Sequence, residues 1–181
     1  MRRFVAHLAM ARFAALSAIA LIMVIATGLV SARADEVGRV GVDWIGNDIV
    51  IEAIEDPKVS GVTCHVAFFD RSIVDRLQQG NWFEDPSNSS IDCVQTGPVT
   101  ITGISLAADG EEVFRERRSV IFKSLVVNRI YDAERDALIY LAHSRQVNQG
   151  SAKMSISVVP LSGADVSWPD GEPADRVELT R

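Results

Sequence analysis

Cysteine occurs twice and histidine three times in 181 residues, and aromatic side chains make up only 7%. This scarcity narrows the available chemistry. His7 lies near the N-terminus, so the chain beyond residue 34 holds only Cys64, Cys93, His65 and His143. A four-ligand zinc site would consume all of them, and no two stand at the spacing of a zinc knuckle or a helical histidine pair. We expect neither metal nor cofactor. There is no G-x-S-x-G elbow, no glycine-rich phosphate loop and no S-x-x-K, so no catalytic residue is assigned. No second long apolar run follows the first 34 residues, which leaves no membrane anchor once those are removed.

The first 34 residues read as an address. Arg2, Arg3 and Arg12 form a basic head without an acid, and "FAALSAIALIMVIATGLV" follows as an apolar run over residues 13–30. Ala32 and Ala34 then supply small residues at −3 and −1 of a cleavage site, as in a secretory signal peptide cut after Ala34. The rival is an uncleaved anchor, since 18 apolar residues come near the length needed to span a bilayer. Thr27 and Gly28 weaken the helix before the small residues and favour cleavage. The Arg2-Arg3 pair is weak support for twin-arginine export, and no cysteine is placed for lipid attachment. The expected location is the periplasm. Four of the 18 basic residues leave with this segment, so the mature chain carries 14 basic and 24 acidic residues, a net charge of −10. Such a chain repels nucleic acid and anionic lipid.

Period-2 alternation dominates the remainder. "NDIVIEAIEDP", "VTCHVAFF", "GPVTITG" and "MSISVVP" alternate as half-buried strands do, and "SVIFKSLVVNRIY" has the unbroken β-branched character of a strand buried on both faces. "SIVDRLQQG" carries a serine cap, helix formers and a closing glycine, which predicts a short helix near 73–79. "DAERDALIYLAHSRQ" suits either a helix capped by Asp132 or a hairpin turn followed by a strand. The hairpin is preferred, because the preceding strand needs a partner. The acidic segment 162–181, broken by Pro and Gly, reads as a flexible tail. The expected fold is one mainly β domain over 35–161, an antiparallel sandwich or barrel with one or two short helices. Its strands are expected near 49–54, 62–69, 91–95, 98–102, 119–131 and 137–144.

In "VTCHVAF" a thiol stands beside an imidazole. Neighbouring strand residues project to opposite faces, so Cys64 and His65 do not form a dyad there. Cys64 and Cys93 instead share faces with apolar neighbours (Val62 and Val66; Ile91), and an even cysteine count in an exported chain predicts a disulfide. Closing a loop of roughly 29 residues would contribute on the order of 3–4 kcal/mol. The carboxylate pairs Glu55/Asp56, Glu84/Asp85 and Glu111/Glu112 lie beside turns and read as solvated charge. The densest basic cluster is Arg115, Arg117, Arg118 and Lys123, with Arg129 beyond. It is a candidate for an anionic ligand or a partner's acidic patch, set against simple neutralisation of Glu111, Glu112 and Glu116.

The succession "EDPKVSGVTCHV", "IDCVQTGPVTI", "SVIFKSLVVNRIYDAERDALIYLAHS" and "SVVPL" resembles the CreA family of bacterial exported proteins over roughly residues 36–161. "IFKSLVVNRIYDAERDALIYLAHS" is the most specific part, while 70–90 and the tail after Leu161 look particular to this chain. The resemblance implies a periplasmic location and two cysteines matching Cys64 and Cys93. The family's label, catabolite regulation protein, reflects association with a carbon-source-responsive two-component system. No activity, substrate or site residue comes with it.

Three functions compete. The first is a non-enzymatic periplasmic protein that binds a small ligand or an envelope partner. The second is an enzyme whose site forms only in the fold, from His65, His143 and the Arg117/Arg118 region. The third is a structural component of the envelope.

Overall fold

The computed structural model describes residues 34–70, 72, 77, 89–117, 124–145 and 154–174, apart from the side chains at 116, 117 and 145. Among them run β1 (Ala34–Gly41), β2 (Asp48–Asp56), β3 (Val59–Asp70), β4 (Ser90–Ile101), β5 (Glu111–Arg117), β6 (Ser124–Asp132), β7 (Ala137–Arg145), β8 (Met154–Pro160) and β9 (Val166–Ser167). The first sheet has the order β1-β2-β3-β4-β9 and the second β5-β6-β7-β8. Every pairing is antiparallel except the short parallel one of β9 with β4.

Alternation decides what each strand buries. In β2, Val50, Ile54 and the polar Glu52 and Asp56 turn inward; in β3, Val62, Cys64, Val66 and Phe68 do so. From the second sheet Leu125, Val127, Leu138, Tyr140 and Val159 meet them in one apolar cluster. Each such side chain, fully buried, contributes about 1.5–3 kcal/mol. The arrangement is the expected antiparallel sandwich. Its two sheets are tied at one margin, where the Cys93 amide donates to Ser157 Oγ at 2.8 Å and Gln95 Nε2 donates to the Pro160 carbonyl at 2.8 Å.

Cys64 and Cys93 are direct cross-strand partners, with Cα atoms 4.0 Å apart, and they form the disulfide. His65 is exposed on the opposite face of β3. The hairpin reading of 132–146 holds, for β6 and β7 pair from Asp132↔Ala137 to Ser124↔Arg145. Asp136 completes the turn at φ 46°, a backbone state that aspartate tolerates better than most residues. It accepts hydrogen bonds from the Tyr131 hydroxyl at 3.2 Å and, through its carbonyl, from the Leu161 amide at 2.7 Å.

Several features differ from expectation or lie beyond it: β1 and β5 are not among the expected strands, and residues 119–123 of the strand expected at 119–131 lie outside the described residues. The two strands expected at 91–95 and 98–102 are one strand, β4, with a register shift opposite Ser60 and Val62. Gly61 makes this possible: at φ 78°, an added Cβ would stand 2.1 Å from the Pro98 carbonyl oxygen. The helix expected near 73–79 lies outside the described residues, save Leu77. The expected tail is not loose in its first part. The Val99 amide donates to the Asp165 carbonyl at 2.8 Å, β9 adds to β4, and Trp168 packs edge-on against Tyr131 with ring centroids 5.6 Å apart. The acidic composition of the segment hid its two apolar anchors, Val166 and Trp168, both of which pack on the core.

Trp168→Ala should therefore lower the unfolding free energy by about 2 kcal/mol, below the full cost of a buried aromatic because the indole is only partly covered. Urea denaturation of the mature protein measures it. A variant that unfolds like the parent would show that the packing contributes nothing.

Candidate functional site

A positive charge stands at the centre of the fold. Arg129 alternates in β6 with Leu125, Val127 and Tyr131, all facing inward, and it is 1% exposed. An isolated charge in such a place is prohibitively desolvated, so the fold must supply anions. Asp56, the last residue of β2, receives Arg129 Nη1 on both oxygens, at 2.6 Å to Oδ1. Glu111, the first residue of β5, receives Nη2.

Local structure brings these groups together. Gly110 precedes Glu111 at φ 70°, where an added Cβ would lie 2.5 Å from the Arg129 carbonyl oxygen. Only glycine allows β5 to start so close to β6. In the turn after β2, the Lys58 amide donates to Asp56 Oδ1 at 2.9 Å. Lys58 Nζ then crosses to the Glu111 carboxylate and to the Gly103 carbonyl at 2.9 Å. The Tyr140 hydroxyl completes the coordination of Asp56 at 3.1 Å from Oδ2. Two cations meet two anions, and the cluster closes without net charge.

The chemistry of the cluster is that of a clamp. Burial, and then the adjacent Asp56 carboxylate, push the Tyr140 hydroxyl well above its ordinary value, which holds it neutral as a donor. Desolvation works to raise Glu111, but the Lys58 ammonium, the Ser105 amide and the nearby guanidinium overcome it and leave the carboxyl below its ordinary range. Every polar group named here is spent on another member of the cluster.

The residues singled out in the sequence are not gathered around it. Arg115 is on the outer face of β5, where its Nε donates to Glu112 Oε1 at 2.7 Å. The side chain of Arg117 is not described, and Arg118 and Lys123 lie outside the described residues. His143 is on the outer face of the second sheet, with Nε2 3.1 Å from Asn128 Oδ1. His65 is on the outer face of the first, so the whole core stands between the two imidazoles. Among the described residues no group of three His, Cys, Asp or Glu side chains is placed to hold a metal. The clamp itself was missed. Its signal was present, because Arg129 shares the inward parity of Leu125 and Val127, and an inward arginine demands a carboxylate.

The comparisons with known proteins agree with one another. The family model described as CreA protein matches residues 37–164. Protein CreA of Escherichia coli strain K12 is 44% identical over 137 residues, covering 72% of this chain and 85% of the relative. The proteins of the same name from Escherichia coli O6:H1 and O157:H7 match equally. No solved structure matches.

Two predictions test the clamp. Arg129→Met leaves Asp56 buried without its cation and should cost about 3–5 kcal/mol. The double variant Arg129→Met/Asp56→Asn should lose less than the sum of the single losses, because the two residues are directly coupled. Denaturant titration of the four proteins decides it; strict additivity would mean that no such coupling exists. The second concerns pH. Glu111 has its folded value depressed below 4.5, so its contribution is present above pH 4.5 and fades as the pH falls through the lower folded value. Tyr140 has its folded value raised above 10.0, so its contribution is present below pH 10.0 and fades above it. The melting temperature should form a plateau between these limits and fall on both sides. Glu111→Gln should flatten the acid side, and Tyr140→Phe the alkaline side.

Proposed function

Since this chain belongs to the CreA family, we propose that it is an exported periplasmic protein that binds a partner or ligand and catalyses no reaction. Supporting export are the basic head, the apolar run 13–30 and the small residues before position 35. β1 begins at Ala34, so cleavage after Ala34 would take a single residue from the sheet. The net charge of −10 for the processed chain suits a protein that avoids nucleic acid and anionic membrane.

One observation carries the binding reading. Large apolar side chains stand outside: Trp44 is 94% exposed, and Val40, Phe69, Met154, Ile156 and Val158 are exposed with it. A soluble domain that places its apolar groups on sheet faces offers them to another molecule. The enzyme reading has no comparable support, because two of its ingredients, His65 and His143, lie on opposite outer faces. A purely structural role in the envelope would also use such faces, and the partner's identity separates the two.

The mature protein should be recovered from the periplasmic fraction beginning at Asp35, and crosslinking in intact cells should join it to a soluble or envelope protein in a defined ratio. Recovery only from membranes with the first 34 residues intact, or no crosslinked product at all, would overturn the reading.

A further inference from the structure

We infer that the edge of β4 over Val99–Ile101 is a binding groove for an extended segment of a partner protein, and that the chain's own segment 162–171 occupies it in cis. The partner segment carries an aliphatic residue and an aromatic residue two positions apart. The inference rests on the reading above in one respect, that the protein binds a partner, and it gives the contact a place and a chemistry.

The resident segment shows what the groove accepts. It leaves from a fixed point, for Leu161 is fully buried and its amide donates to the Asp136 carbonyl at 2.7 Å. The chain turns at Gly163, which stands at φ 78°, and the Ala164 amide closes the turn on the Leu161 carbonyl at 3.1 Å. Val166 and Ser167 then pair in parallel with Val99 and Thr100, and the Val99 amide donates to the Asp165 carbonyl at 2.8 Å. Residues two apart in an extended chain point the same way. Val166 and Trp168 accordingly both pack on the core, and the indole meets the Tyr131 ring with centroids 5.6 Å apart. Backbone pairing at a sheet edge, with alternate side chains seated beneath, is a general mode of peptide uptake.

The resident segment is also built to come away. Its ladder consists of two residue pairs. One further parallel step would set residue 169 against the Ile101 carbonyl, and Pro169 has no N–H to donate. Val166 and Trp168 are half-buried, whereas Val99, Ile101 and Tyr131 beside them are buried. The groove residues lie inside the span 37–164 that matches the family, while β9 and Trp168 lie beyond it. A short latch of this kind opens locally without unfolding the sandwich. The same segment of a second copy carries the same proline, and it competes with a tethered one whose effective concentration is on the order of millimolar. A partner segment without that proline pairs over a longer stretch and displaces the latch.

The test uses the full mature chain and two labelled peptides, "SGADVSWPDGE" (residues 162–172) and the same peptide carrying Pro169→Thr. The variant Val166→Ser/Trp168→Ala empties the groove. By fluorescence anisotropy it should bind the first peptide at least about tenfold more tightly than the parent does, because the parent's own segment competes. The Pro169→Thr peptide should bind more tightly than the first, and a peptide with serine at both anchors should not bind. Equal binding by parent and variant, or none by the variant, would overturn the proposal. So would a dimer in sedimentation that the variant abolishes, since a second copy would then be the occupant. Should the variant fail to fold, hydrogen exchange in the parent decides. The Val99 amide should exchange at least about tenfold faster than the amides at the centre of β3, and equal protection would rule out a latch that opens. A periplasmic partner that crosslinks no better to the variant than to the parent places the contact elsewhere and leaves the binding reading standing. No crosslinked partner with either protein removes both.

Discussion

The buried guanidinium of Arg129 sets the terms for much of this fold. Once an arginine faces the core, two carboxylates must reach it, and they come from different places: Asp56 from the first sheet and Glu111 from the second. The clamp therefore fixes the two sheets relative to each other more specifically than apolar packing does. Hydrophobic contact tolerates sliding, whereas a guanidinium with its donors in a fixed fork does not. The cost is desolvation. A well-packed apolar replacement can equal such a cluster in stability, so its role is better described as choosing one sheet arrangement than as strengthening it.

The disulfide acts on a different level. It joins Cys64 and Cys93 in neighbouring strands of the same sheet, so it fixes the register of β3 against β4 and leaves the second sheet untouched. That register is the one interrupted by the bulge at Gly61 and Pro98, where slippage would otherwise be easiest. Staple and clamp divide the work: one holds register within a sheet, the other the approach of two sheets. Ser157, which caps the Cys93 amide, links the two constraints.

The sequence was most legible where the physics is local. Alternation in "VTCHVAFF" placed Cys64 inward and His65 outward, and the β character of "SLVVNRIY" correctly demanded a partner strand from 137 onward. It was less legible where a residue's role depends on a distant one. Trp168 sits in an acidic, proline-broken stretch, and nothing nearby announces that Tyr131 awaits it. Arg129 belonged by spacing to the inward face, but the habit of reading arginine as surface charge placed it with Arg115. The carboxylate pairs Glu55/Asp56 and Glu111/Glu112 were read as solvated turn charge. One member of each pair, Asp56 and Glu111, in fact belongs to the clamp, and only the meeting of two sheets could reveal that.

The distribution of polarity is what connects fold to function. The charged groups of the clamp are spent on one another, whereas an outer face with Val40, Phe69 and a protruding Trp44 has apolar area that water would rather not wet. Natural monomers avoid leaving such area uncovered unless it is used.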